Sequence, residues 1–176
     1  DAYDLLAKVY NKYKALLGDD HPSTISACVN VATTLRDLQD YEQSIKFFEI
    51  AKEGRGRIIG TEHPDYGMVL GMSAGAYRQN GDTETAYRYL KEAYLIMANH
   101  FKGEECIACA VILNSMGLLY KQQAKFERAL DAYERCLNVR VKILGESHPD
   151  AIATRHSIAE LYTMWGKPDE AKQILE

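Results

Sequence analysis

The 176-residue sequence contains no run of about 18 apolar residues, so no membrane-spanning helix is expected in it. It has no excess of positive charge. Lys and Arg number 21 against 25 Asp and Glu, a net charge of −4. A nucleic-acid or anionic-membrane surface is therefore not expected as the main function, although a local basic stripe stays open. Cysteines are few: Cys28, Cys106, Cys109 and Cys136, scattered over predicted helices. A disulfide framework belongs to small secreted domains, so reduced thiols in the cytosol or an organelle matrix are expected. No secretory leader opens the sequence and Asp1 is not an initiator Met, which leads us to expect a piece of a longer chain or a larger complex. No Ser/His/Asp constellation, glycine-rich phosphate loop or paired-carboxylate motif falls on one site. The expectation is a protein that is not an enzyme, with no catalytic residue, cofactor or metal ligand.

What is present is a period. Leu17-Gly18-Asp19-Asp20-His21-Pro22 returns as Ile59-Gly60-Thr61-Glu62-His63-Pro64 and as Leu144-Gly145-Glu146-Ser147-His148-Pro149. Gly18, Gly60, Gly103 and Gly145 are 42, 43 and 42 residues apart. A fixed period of this size means stacked supersecondary units. The same frame aligns small residues in one column, Ala32, Ala74, Gly117 and Ala159, and in a second, Ser44, Ala86, Ala129 and Ala171. Large residues follow each: Leu35, Tyr77, Tyr120 and Tyr162, then Phe48, Leu90, Tyr133 and Leu175. Small residues let helices approach and large ones fill the space beside them. The tyrosine hydroxyls are expected to reach a turn or water.

Each unit thus reads as a first helix, a short turn and a second helix. The first helices are expected at roughly 22–38, 64–80, 105–123 and 149–165. Proline at the first helical position follows each repeated histidine, which marks His21, His63 and His148 as helix-start residues. Gly81 and Gly166 stand where a helix end needs a left-handed residue. The expected division is a second helix over 1–18, full repeats at 19–60, 61–103 and 104–145, and an incomplete repeat at 146–176. Ala2, Leu6 and Val9 fall into the packing columns of that opening helix. Nine helices result, the first and last belonging to incomplete units, so open apolar ends and self-association are expected.

These small–large columns resemble the tetratricopeptide repeat. The 42-residue spacing and the segment 135–149, RCLNVRVKILGESHP, are similar to its kinesin-light-chain type. The resemblance implies an all-α, right-handed superhelical solenoid of antiparallel helix pairs, whose first helices line a concave groove for peptides or extended segments. It implies an adaptor or scaffold for proteins, in the cytoplasm. The alternative is a structural subunit or assembly factor bracing a mitochondrial or ciliary complex.

In the repeat frame, groove-facing positions include Asn30 and Arg36, Met68, Met72 and Arg78, Asn114 and Lys121, and His156. Arg36, Arg78 and Lys121 are equivalent, so a row of cations is expected. The asparagines can bond a peptide backbone as donor and acceptor, and the methionines make room for apolar side chains. The expected partner is a protein or peptide with acidic and apolar residues.

Two motifs remain. Cys106-Ile107-Ala108-Cys109 replaces the His-Pro start in the third full repeat. With no βαβ pattern and no further ligand at metal-like spacing, both cysteines are expected to be packing residues. Gly54-Arg55-Gly56-Arg57 is expected to bend or fray the end of its helix, or else to offer a basic loop to an acidic partner segment.

Overall fold

The computed structural model describes residues 2–103 and 105–176, without the side chain of Ala2. Asp1 and Glu104, at which the third full repeat is expected to begin, lie outside the described residues. Every regular element among the described residues is an α-helix. They are α1 (Ala2–Leu17), α2 (Pro22–Asp37), α3 (Tyr41–Ile59), α4 (Pro64–Gln79), α5 (Thr83–His100), α6 (Ile107–Gln122), α7 (Phe126–Leu144), α8 (Pro149–Met164) and α9 (Pro168–Gln173). Connections of three residues (38–40, 80–82, 123–125, 165–167) or four (18–21, 60–63, 145–148) turn the chain back at once. Neighbouring helices therefore pack as hairpins.

The chain forms two compact units, residues 1–96 and 97–176. In the first, α1 packs on α2, α2 on α3 and α3 on α4, and α2 also touches α4. In the second, α6 packs on α7, α7 on α8 and α8 on α9.

Local chemistry sets the helix starts. The Nδ1 atoms of His21, His63 and His148 accept the backbone N–H of Ser23, Asp65 and Asp150, each at 3.1 Å. Proline then occupies the first helical position, where an N–H would have no partner. Helices α3 and α5 start on aspartates: Asp40 accepts from Gln43 N–H at 3.2 Å and Asp82 from Thr85 N–H at 3.0 Å. The bonds from Thr85 hold the Asp82 carboxyl below its ordinary range. At the turns, Gly81 and Gly166 are left-handed as expected, with φ of 89° and 77°. Gln39 and Ala124 take the same conformation without glycine, at 65° and 54°.

Several expectations need correction. The helices α2, α4, α6 and α8 end one residue earlier than the periodicity suggests, because residues 38, 80, 123 and 165 are C-caps. Helix α6 also begins two residues late, since Cys106 is extended (φ −141°, ψ 146°). The Gly54–Arg57 segment does not fray: α3 runs unbroken from Tyr41 to Ile59. Gly54 is buried there, and a Cβ on it would stand 2.7 Å from Ile25 Cδ1, so the glycine lets α2 and α3 approach. Finally, the large column fails in the last unit. Helix α9 stops at Gln173, Leu175 is half exposed, and Ile174 packs instead.

The remaining columns form the core. In the first unit, Tyr10, Ile25, Cys28, Val31 and Leu35 cluster with Leu6 and Val9 beside them. Phe48 joins Ala32 and Ala76 in a second cluster. Ser44, in a small column, donates its hydroxyl to the Ala32 carbonyl at 2.8 Å. In the second unit, Tyr133 packs with Ala129, Ile158 and Leu161. Burying a side chain as large as Phe48 contributes about 1.5–3 kcal/mol.

Tyr77 reaches a neighbouring helix rather than a turn. Its hydroxyl donates to Glu49 Oε1 at 3.2 Å, and the Tyr89 hydroxyl donates to the same oxygen at 2.9 Å. Lys52 Nζ donates to the Tyr89 oxygen at 2.7 Å and to the other Glu49 oxygen. This half-buried cluster ties α3, α4 and α5 together. Burial, then the Glu49 charge, pushes the Tyr77 hydroxyl well above its ordinary value. Burial alone would lower Lys52, but its bonds to Glu49 and Tyr89 outweigh that and raise it.

Candidate functional site

Helices α2 and α4 are the first helices of consecutive repeats, and they lie side by side in the first unit. Between them opens a cleft of about 280 Å³. Asn30 and Ser26 line it from α2, Met68 and Met72 from α4, Arg55 from α3, and Asp65 from the first turn of α4. Asn30 and Asp65 are exposed and the two methionines half-buried, so the walls combine apolar area with accessible polar ends. Three of the sequence-expected residues, Asn30, Met68 and Met72, therefore meet in one place.

Arg55 was not among them, although the Gly-Arg-Gly-Arg motif signalled it as basic. The small Gly54 lets α3 come close to α2, and Arg55 is carried to the same cleft. Its guanidinium donates to Ser26 Oγ at 3.1 Å. Arg57, two residues on, instead pairs with Asp20 at 2.6 Å.

Arg36 and Arg78 belong to the same unit but do not line this cleft. Arg36 Nη2 bonds Asp37 Oδ1 at 3.1 Å, and its side chain lies over Gly75 of α4. Arg78 is half-buried in the last turn of α4, where a cation meets the negative end of the helix.

The other expected residues belong to the second unit. Lys121 of α6 donates to Glu160 of α8 at 2.8 Å. Its side chain is only 15% exposed, so its charge is largely matched within the unit. Asn114 is half-buried on α6 and His156 exposed on α8. This unit also carries a cleft of about 420 Å³ lined by Lys102, Glu105, Arg135, Asn138 and Lys142. Lys142 pairs with Glu105 and Arg135 with Asp131, so those cations are also matched nearby. No periodic signal marks that cleft, because part of its lining comes from the irregular connection after α5.

Two cysteines are plainly packing residues. Burial pushes the Cys28 thiol up to about 12, and its Sγ donates to the Phe47 carbonyl at 3.1 Å. Burial likewise raises Cys136. Among the described residues, no group of three or more His, Cys, Asp and Glu is placed to hold a metal ion, and no helix is long and apolar enough to cross a membrane.

A family model of the tetratricopeptide repeat matches residues 25–99 and 107–176. The chain is 26% identical over 174 residues to Protein KINESIN LIGHT CHAIN-RELATED 3 of Arabidopsis thaliana, covering 94% of this chain and 25% of that one. It is also 26% identical over 149 residues to Protein KINESIN LIGHT CHAIN-RELATED 2 of the same plant, covering 84% and 22%. It thus spans about a quarter of these relatives' length. The crystal structure of a Podosopora anserina protein, described as kinesin light chain with nearly identical TPR-like repeats, superposes with a TM-score of 0.76. That match has 21% identity and covers 98% of this chain and 82% of the other. The chain belongs to the tetratricopeptide-repeat family, and its repeats are of the kinesin-light-chain type.

Proposed function

We propose that this chain, a repeat scaffold for protein–protein interaction, binds an extended peptide segment in the cleft between α2 and α4. The observation that carries the reading is the convergence of Asn30, Arg55, Met68 and Met72 on one 280 Å³ cleft. Such a surface offers what an extended segment needs. Asn30 gives a donor and an acceptor for a peptide unit whose own groups are unpaired. Met68 and Met72 adapt to an apolar side chain. Arg55 takes a carboxylate, for which its planar fork is suited. The partner is accordingly a protein segment with an acidic residue beside an apolar anchor. Asp65 supplies a further acceptor for a backbone N–H. Four free, buried cysteines fit a reducing compartment, and the cytoplasm is the compartment we propose on that basis.

A random peptide library displayed on phage, selected on the immobilised chain, tests the reading. Selected peptides should share an acidic residue next to Leu, Met or an aromatic residue. Their binding should weaken about ten-fold or more in Arg55→Glu and Asn30→Ala, with helicity unchanged. Selected peptides that bind both variants as tightly as the parent chain would put the contact elsewhere and end the proposal.

A further inference from the structure

The four first helices start in two different ways. At α2, α4 and α8 a histidine Nδ1 accepts an N–H of the first turn. At α6 the acceptor is the Cys106 sulfur, which takes the Cys109 N–H at 3.1 Å. That substitution brings a second sulfur with it. Cys106 is extended while Cys109 is already helical, so the chain curls and turns both side chains to the same side. Their sulfurs stand 2.6 Å apart, inside ordinary non-bonded contact. Cys109 is fully buried and Cys106 nearly so, at 7% exposure. The other two cysteines have no sulfur neighbour of this kind among the described residues: Cys28 meets the Phe47 carbonyl and Cys136 the Thr154 hydroxyl.

We propose that Cys106 and Cys109 are a reversible dithiol–disulfide pair, oxidised by a low-molecular-weight disulfide of the glutathione class. The contact between the sulfurs carries this, because it removes most of the movement that bond formation requires. Exchange proceeds in two displacements. The Cys106 sulfur, having given up its proton, attacks one sulfur of the small disulfide and expels the other half as a thiolate. Deprotonated Cys109 then attacks the Cys106 sulfur of the mixed disulfide and expels the second half. Both protein thiols are oxidised, the small disulfide is reduced to two thiols, and the two protons released by the protein balance the two thiolates. Cys106 leads because it is the one with exposed surface, and the Cys109 N–H already points at it. Among the described residues there is no strand, so no sheet of a thioredoxin-like catalyst is present; the pair is a substrate of thiol exchange. Its product would be a covalent staple across the first turn of α6, at the one repeat boundary that lacks His-Pro.

The test uses the full chain, reduced and then equilibrated without air in buffers of varied reduced-to-oxidised glutathione ratio. Acid quenching, alkylation of free thiols and digestion follow. As the buffer becomes more oxidising, the peptide with Cys106 and Cys109 should lose both alkyl tags and the mass of two hydrogens. Dithiothreitol should reverse this, and Cys28 and Cys136 should stay fully alkylated. In Cys109→Ser a glutathione adduct should accumulate on Cys106, because nothing resolves it. If the wild-type chain keeps both thiols free at every ratio, or holds a stable glutathione adduct on Cys106, the proposal is overturned. The wild-type result decides the matter even if the variant folds poorly.

Discussion

Replacing Gly117 with alanine should destabilise the second unit, although alanine is the better helix former. Gly117 lies inside α6, where Ala in place of Gly would ordinarily contribute about 1 kcal/mol. Against this stands the Tyr133 ring. A Cβ at residue 117 would lie 2.5 Å from Cε1, 2.6 Å from Cδ1 and 2.8 Å from Cζ of that ring. Tyr133 is fully buried and packed among Ala129, Ile158 and Leu161, so the ring cannot swing out to solvent without disturbing that cluster. Overpacking of this kind costs about 1–3 kcal/mol, and three ring atoms in conflict place it at the upper end. The net expectation is a loss of about 1–2 kcal/mol.

The repeat itself supplies the rescue. In earlier units the equivalent pairs are Ala32 with Phe48 and Ala74 with Leu90. Tyr133→Leu in the Gly117→Ala background restores the second of these pairs. Tyr133→Leu alone should cost about 1–3 kcal/mol through the cavity it leaves. The double variant should be more stable than the sum of the two singles by at least about 1 kcal/mol. Urea unfolding followed by circular dichroism reads all four proteins, with stability taken from the midpoint at constant slope. A Gly117→Ala chain as stable as the parent, or strictly additive singles, would refute the reasoning.

Gly54 makes the contrasting case. The atoms in its way are Cδ1 and Cγ1 of Ile25, at 2.7 and 3.0 Å, and Ile25→Val removes Cδ1. Gly54→Ala should thus be nearly neutral alone, and more stabilising by about 1 kcal/mol in an Ile25→Val background, again by urea midpoint. His63→Ala removes the acceptor for the Asp65 N–H and should cost about 1 kcal/mol, read as a lower melting temperature. The Tyr77 hydroxyl is raised in the folded chain, so its contribution is complete below its unfolded value of 10.0 and is lost as pH rises through and beyond that value. Stability should consequently fall above about pH 10, and Tyr77→Phe should flatten the fall in a pH series of urea midpoints.

The architecture was legible because it rests on a periodic demand. Every unit needs a small residue opposite a large one, and any sequence that meets the demand repeats it visibly. The histidine starts were legible for the same reason. What the frame could not show is compensation within a single contact. Gly54 looked like a helix breaker, since two glycines near a helix end usually are. In fact Ile25 fills its space, and the equivalent pairs in later repeats reverse the sizes, Gly67 with Ile96 and Ala110 with Val139. Glu49 and Lys52 were equally invisible as partners of Tyr77 and Tyr89, because their bonds cross between repeats 28 and 37 residues apart.

The candidate cleft follows the same division. Asn30, Met68 and Met72 share the cleft because they sit at positions the frame predicts to face the groove. The expected row of cations was read from equivalence alone, and equivalence does not fix a side chain's partner. Arg36 lies beside Asp37, and Lys121 meets Glu160 because the next first helix carries an acid at a reachable position. Arg55 and Arg140 make the point most directly, as they are equivalent positions two repeats apart. Arg140 donates to Thr154 Oγ1 at 2.7 Å and to the Asp150 carbonyl at 3.0 Å, so it braces α7 against α8. Arg55 lines the cleft, and the partner its guanidinium meets there is a serine hydroxyl. The bond to Ser26 joins a charged group to a neutral one, and an incoming carboxylate, itself charged and matched to the planar fork, competes for that guanidinium. Arg55→Lys should therefore preserve the charge but lose the forked contact, and a selected acidic peptide should bind it several-fold more weakly than the parent chain. Arg140→Lys should lower the melting temperature and leave peptide affinity unchanged. Should the two variants exchange these phenotypes, the assignment of Arg55 to binding and Arg140 to bracing would be reversed.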